Sequence, residues 1–390
     1  MTRSESSRTE HGRDDGRRQC SVSGPRRTRR AFLATGAAVA VGALSGCQSG
    51  GGKTTGPTPT SDSMPSVSYR HRFGRSGLDP AVNDGGVELG TWESEGIDVS
   101  FGTSRGSQAA VQSVTAGEDE FGNAEISAIL KQIQNGASLT ILGQVIDAMS
   151  GVVSLSETGI TEWQDMEGKT VGTYPFGVSG NLARAALAER GGDPEKVNWR
   201  NMQPGSATKL VRQGTVDAAV TYFPQLEVRL GKANTNVLIL TDVIQYLGPA
   251  LFTRDEILEN RPEMVNSFVR GWLKAHEKFV TNLDEVIAAT AAHQPEFDET
   301  AARKTLGPIY ASRVPPRDIG TEYGKGWTPE DELEQTQAVF AETGILPETR
   351  ALETYYTNRF IERNEDLAVE TATLYYDELS ENFEVGPNYV

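Results

Sequence analysis

Gly102-Thr103-Ser104-Arg105-Gly106 has the spacing of a catalytic motif. It matches G-x-S-x-G, in which a serine on a sharp strand-to-helix turn attacks an acyl group. Such a serine needs a base, and His276 and His293 follow in the chain. The helix expected around His276 is apolar-faced, and no second glycine-rich segment offers an oxyanion site. A secreted serine hydrolase using Ser104 is therefore an alternative reading and not the main one.

Other residues have the chemistry of binding. Helices are expected to start after Gly/Ser-rich turns at Ser107, at Ser179-Gly180 and at Ser206. A helix N-terminus presents unpaired N–H groups and partial positive charge, which suit an anion or a polar acceptor; serine there is also an ordinary cap. Phe73, Tyr174, Phe176, Tyr222 and Phe223 fall at expected strand ends, where rings can stack on a planar solute or fill a core. Glu125 follows a strand and could accept hydrogen bonds from an amine. Arg70, Arg72 and Arg75 could meet an anionic group or line a solvated strand edge. The serines and arginines favour an oxyanion; the aromatic residues and Glu125 favour a nitrogen heterocycle, and the Tyr174-Pro175-Phe176 cluster tips the reading that way.

Catalytic metal and thiol chemistry find no residues. The chain has two cysteines, Cys20 and Cys47. Arg29-Arg30 opens the apolar run Ala31–Leu44, too short to span roughly 30 Å of hydrocarbon, and Leu44-Ser45-Gly46-Cys47 closes it like a lipobox. The twin arginines mark Tat export, Cys20 leaves with the signal, and Cys47 becomes the lipidated residue. His71, His276 and His293 lack metal-ligand spacing, so neither a metal nor a cofactor is expected. Gln48 to Ser66 is almost all Gly, Ser, Thr and Pro, a tether reaching about 23 Å. Residues 1–46 carry nine arginines against four acids, so the −16 of the whole chain leaves −21 on residues 47–390. That charge excludes nucleic acid as a partner and resembles the surfaces of halophilic proteins.

The elements that must position these residues alternate. Strands are expected at Val67–Phe73, Ile97–Phe101, Glu120–Asn123, Leu139–Val145 and Gly151–Leu155, with helices at Ser107–Thr115 and Glu125–Gln134. The alternation continues to Ala250–Thr253 and then turns helical. Pro262–Val280 places Val265, Phe268, Val269, Trp272, Phe279 and Val280 on one face, and Pro329–Thr343 has Thr328 as candidate cap and Gly344 as stop. This is an α/β chain too long for one core, so two lobes are expected.

Five stretches resemble the solute-binding proteins of ABC importers, in the group that binds nitrate, alkanesulfonates, taurine and thiamine-pyrimidine precursors. They are Gly102–Ser107; Ala116–Gly122; Trp163–Gly172, similar to that family's D-L-x-G-K-x-V-G; Gln213–Ala219, similar to its G-x-V-D-A; and Tyr355–Phe360, similar to its closing Y-T-N. The likeness covers roughly Val67 to Ile361. One departure is visible: Gly85, Gly86 and Gly90 interrupt the segment where the family has a long helix, and glycine is unfavourable inside helices.

The resemblance implies a two-lobe periplasmic-binding-protein-like α/β fold (type II) that closes on a solute about a hinge, with no catalysis. Residues 1–46 would be the signal peptide, 47–65 the tether, 66–149 and 248–361 lobe one, 150–247 lobe two, and 362–390 a C-terminal extension. The hinge is expected near Ala148–Gly151 and Tyr246–Pro249. Ligand contacts are expected from Phe73, Ser104, Ser107, Glu125, Tyr174, Phe176, Ser179 and Tyr222. The implied partners are a small solute, the permease and ATPase subunits, and, through Cys47, the extracellular face of the cytoplasmic membrane.

Overall fold

Ten strands form two five-stranded sheets in the computed structural model. It describes residues 64–73, 78–146, 148–175, 178–203, 205–294, 297, 299–300, 302 and 324–382. The expected signal peptide, Cys47, nearly all of the tether, Arg75 and Phe176 lie outside these residues. The first sheet takes β1 (Ser66–His71), β2 (Asp98–Thr103), β3 (Phe121–Glu125), β4 (Leu139–Gln144) and β10 (Pro249–Arg254), in the order β2-β1-β3-β10-β4. The second takes β5 (Ser150–Leu155), β6 (Thr170–Thr173), β7 (Asn198–Asn201), β8 (Ala218–Tyr222) and β9 (Thr235–Ile239), in the order β7-β6-β8-β5-β9. β10 runs antiparallel to β3 and β4, and β5 antiparallel to β8 and β9. The chain thus leaves the first sheet after β4 and returns before β10.

Helices α1 (Leu78–Glu88), α2 (Ser107–Thr115), α3 (Ile126–Gln134), α7 (Asp255–Asn260), α8 (Pro262–Thr281) and α9 (Leu283–His293) belong with the first sheet. So do α10 (Glu330–Glu342), α11 (Arg359–Glu362) and α12 (Glu365–Asn382). α4 (Ser179–Glu189), α5 (Ala207–Arg212) and α6 (Phe223–Leu230) belong with the second. The apolar face expected on α8 is buried at all six positions, and Phe268 stacks on Phe121 of β3 with ring centroids 3.8 Å apart. Among the described residues no helix is long and apolar enough to cross a membrane.

Several local expectations are corrected. β1 ends at His71, so Phe73 lies past the strand. Glu125 closes β3 and stands at the N-cap position of α3, because its backbone pairs with β10 at Pro249 before the helix begins. Pro329, not Thr328, occupies the N-cap position of α10, and the Thr328 hydroxyl faces Gln144 instead. A helix does form across Gly85 and Gly86. A Cβ at Gly85 would lie 2.8 Å from Val286 of α9, and one at Gly86 would lie 2.6 Å from the Ala275 Cβ of α8. The helical cost of glycine is accepted there because close packing needs the missing side chain.

The family-like motifs hold turns and long-range ties. Asp217 accepts the Thr170 N–H at 2.7 Å, joining the Gln213–Ala219 stretch to the strand entered through Trp163–Gly172. Asn358 accepts the Thr328 N–H at 3.0 Å and donates to its carbonyl at 2.9 Å, fixing the Tyr355–Phe360 stretch to the loop before α10.

Candidate functional site

β4 leaves the first sheet at its C-terminal end, and β5 enters the second antiparallel, at the edge where β6 and β8 finish. The crossings therefore join the C-terminal edges of the parallel strands in both sheets, the edges where open α/β sheets bind ligands. Phe73, Ser104, Ser107 and Glu125 lie at that edge of the first sheet, and Tyr174, Ser179 and Tyr222 at that edge of the second. Phe223, named beside Tyr222, is fully buried core.

On the first sheet the chain beyond β1 is held on both sides. The Arg72 N–H donates to Asn123 Oδ1 at 3.0 Å, and the Gly106 N–H donates to the Arg72 carbonyl at 2.8 Å. The Arg72 side chain, 10% exposed, sets Nε 3.7 Å from Glu125 Oε1, and its guanidinium lies 5.6 Å from the Phe73 ring centroid. Phe73 is 54% exposed, a large ring left open beside a charge-balanced pair. The three arginines therefore part company: Arg70 is committed to Asp119 at 2.7 Å and to the Thr103 carbonyl, Arg72 turns to the strand ends, and Arg75 lies outside the described residues.

None of the three candidate serines caps its own helix. Ser107 is the first residue of α2, and its hydroxyl accepts the Glu125 N–H at 3.0 Å. Ser179 is the first residue of α4, and its hydroxyl lies 3.1 Å from that of Ser150 on β5. Ser206 donates back to the Gln203 carbonyl. Ser107 and Ser179 thus tie helix starts to strand ends instead of capping the helical N–H groups.

On the second sheet Tyr174 Oη lies 3.5 Å from Thr221 Oγ1. Tyr174 and Tyr222 share a niche of about 60 Å³ with Gly205, Thr208, Thr221 and Arg229. The Tyr222 hydroxyl donates to Met149 Sδ at 3.3 Å, linking this wall to the first crossing. Tyr246, in the second crossing, is buried, and its hydroxyl makes no well-formed hydrogen bond among the described residues. Burial pushes that phenol above its ordinary pKa; the adjacent Ser150 hydroxyl opposes this, and the Glu125 charge adds to it.

Ser150, Tyr246, Met149, Thr221 and Arg229 were not singled out in sequence. Ser150 and Tyr246 lie within the stretches expected as hinge, and that was the available signal.

Ser104 is half-buried, and its hydroxyl makes no hydrogen bond among the described residues. His276 is 2% exposed with its ring edge-on to Trp272, and burial, then the charge of Lys325, hold its imidazole well below the usual range. His293 Nδ1 lies 2.6 Å from Glu88 on α1. Neither of these histidines hydrogen-bonds to Ser104, so the pairing that activates a serine nucleophile is not formed. Among the described residues no group of three His, Cys, Asp or Glu is arranged to hold a metal ion.

This strand order, two lobes joined by two crossings, is that of the periplasmic-binding-protein fold. The sulfonate-binding protein SsuA from Xanthomonas axonopodis pv. citri, solved with MOPS, superposes with a TM-score of 0.57 at 14% identity, over 76% of this chain and 100% of that one. The aliphatic sulphonate-binding protein SsuA from Escherichia coli gives 0.56 at 15%, over 75% and 92%. The riboflavin-binding protein RibY of Chloroflexus aurantiacus is 24% identical over 215 residues, 53% of this chain and 60% of that protein, less than two-thirds of its length. Residues 86–285 match the family described as NMT1/THI5 like, and the chain belongs to it.

Proposed function

We propose that this chain is the solute-binding component of an ABC import system, capturing a small solute between lobes 66–149 plus 248–361 and 150–247 and handing it to a permease with its ATPase. Family membership supports this reading, and one observation carries it: both sheets turn their C-terminal strand edges, with open rings and hydroxyls, toward the same crossings. Arg29-Arg30 and the lipobox-like Leu44–Cys47 support export by the Tat route and a lipid anchor at Cys47 on the outer face of the cytoplasmic membrane. The charge of −21 on residues 47–390 supports a high-salt setting.

The solute we infer is a planar nitrogen heterocycle. Phe73 offers an exposed ring face, and Tyr174 and Tyr222 stand on the other wall. Arg72 and Glu125 balance each other, which suits a neutral ligand with donors and acceptors better than a bare anion. RibY, by its name, binds such a ring system. One observation favours an oxyanion instead: the Arg229 guanidinium borders the Thr208 and Thr221 niche and pairs with no carboxylate among the described residues.

Thermal unfolding of the purified chain in molar salt, against riboflavin, pyrimidines, aliphatic sulfonates, carboxylates and nitrate, separates the two. A ligand at about 100 times its Kd adds about 2.7 kcal/mol. A shift with ring compounds alone supports the heterocycle, and a shift with sulfonates or nitrate alone supports the oxyanion. No shift with any class, together with ester hydrolysis lost in Ser104→Ala, sinks the receptor and revives the hydrolase.

A further inference from the structure

One segment grips both crossings. Where the first begins, the Gln144 N–H donates to the Gly326 carbonyl at 2.9 Å, and Lys325 Nζ donates to the Val145 carbonyl. Where the second ends, the Leu247 N–H donates to Thr336 Oγ1 at 2.8 Å, and the Tyr246 ring meets that of Phe340 at 6.0 Å. Lys325 is 2% exposed. A lysine buried this deeply needs its ammonium donors taken up, and one of them goes to the backbone at the start of a crossing. The segment is itself fixed to the first sheet. The Lys325 N–H donates to the Ala368 carbonyl of α12, and Asn358 holds Thr328.

The other ends of the crossings belong to the second sheet. The Met149 carbonyl accepts the Phe223 N–H, and its sulfur accepts the Tyr222 hydroxyl. Val243 and Ile244 donate to the Leu240 carbonyl in the turn after β9. Each crossing therefore runs from a gripped residue, Val145 or Leu247, to an anchor on the second sheet, Met149 or Ile244.

We propose that Gly324–Phe340 is a hinge brace: it fixes the first-sheet ends of both crossings, so that lobe closure turns only between Val145 and Met149 and between Ile244 and Leu247. Tyr246 lies inside the second pivot, so closure carries its hydroxyl relative to Glu125 on one sheet and Ser150 on the other. The brace rests on the receptor reading in so far as a receptor's lobes must move. Its test uses no ligand, so failure of the brace and failure of that reading remain distinguishable.

The test measures distances in the full chain carrying Cys20→Ser and Cys47→Ser. Spin labels go at Lys131→Cys and Glu189→Cys across the lobes, and at Lys131→Cys and Ser100→Cys within the first. Pulsed electron spin resonance of Thr336→Val and Lys325→Met is expected to broaden the cross-lobe distribution at least twofold. The within-lobe distribution stays unchanged, and Thr336→Ser, which keeps the hydroxyl, restores the original width. An unchanged cross-lobe width in folded Thr336→Val overturns the brace, as does equal broadening of both pairs. Should Lys325→Met fail to fold, the Thr336→Val and Thr336→Ser pair decides alone.

Discussion

In the first sheet β10 enters antiparallel beside β3 and β4; in the second β5 enters antiparallel beside β8 and β9. Each is the strand that follows a crossing, so the two lobes repeat one connectivity. Their fillings differ. Tyr69, Trp92, Phe101, Phe121 and Phe268 meet ring to ring in the first lobe, and α8 buries a full face there. The second is packed mostly by short aliphatic side chains, among them Val152, Val153, Val171, Leu182, Ala183, Ala186, Ala218 and Val220, with Phe223 and Trp163 as its large buried rings. The first lobe also holds the segment that ties down the crossings. One connectivity thus encloses a ring-rich core in the first lobe and a mainly aliphatic one in the second.

The largest test of that contrast lies in the core. Phe268→Ala removes the ring stacked on Phe121 and is expected to cost about 3–5 kcal/mol, read by guanidinium unfolding in salt. Val152→Ala in the second sheet deletes two methyl groups and should cost about 1–2 kcal/mol. Equal losses would break the comparison. Gly143→Ala places a Cβ 2.5 Å from the Gly326 carbonyl, where β4 meets the brace. Overpacking against backbone is expected to cost about 1–3 kcal/mol, and a neutral outcome would mean that the brace yields easily.

His276 supplies a smaller, pH-dependent effect. Its native pKa lies well below the usual 6.5, so below about pH 6.5 the unfolded chain binds a proton that the native chain does not. Stability from this group is complete above that pH and falls as pH drops, by at most about 1.4 kcal/mol per unit. Unfolding of the parent and His276→Gln between pH 7.5 and 5.5 should show the steeper loss in the parent; parallel slopes would refute it. The smallest stability effect belongs to the rim. Phe73→Ala should change stability by less than about 0.5 kcal/mol, yet weaken binding of whichever compound stabilises the parent about tenfold, as should Tyr174→Ala. If Phe73→Ala and Tyr174→Ala both leave affinity within twofold, the ligand does not sit between these walls.

Much of the fold was legible because it is periodic. The face of α8, the span of α2 and the alternation of strands and helices follow from local spacing of apolar residues. The strand ends were also legible, and with them the neighbourhood of Ser107, Glu125, Tyr174 and Tyr222. What those side chains do there was not. Ser107 and Ser179 read as caps or ligand contacts, yet their hydroxyls serve strands that lie 18 and 29 residues away in sequence. Arg70 and Arg72 look alike in sequence, and only the position of Asp119 and Glu125 separates them.

The sequence by itself determined the alternation of elements, the count of two cysteines, the acidic balance and the family, because each is a property of composition or of neighbours along the chain. Tertiary structure alone decided that Gly85 and Gly86 could sit inside a helix, that His276 would be buried without a hydrogen bond to Ser104, and that Lys325 and Thr336 would bond to two crossings far from them in sequence. Those outcomes depend on which distant surfaces meet, and close packing makes that choice only when the whole chain is folded.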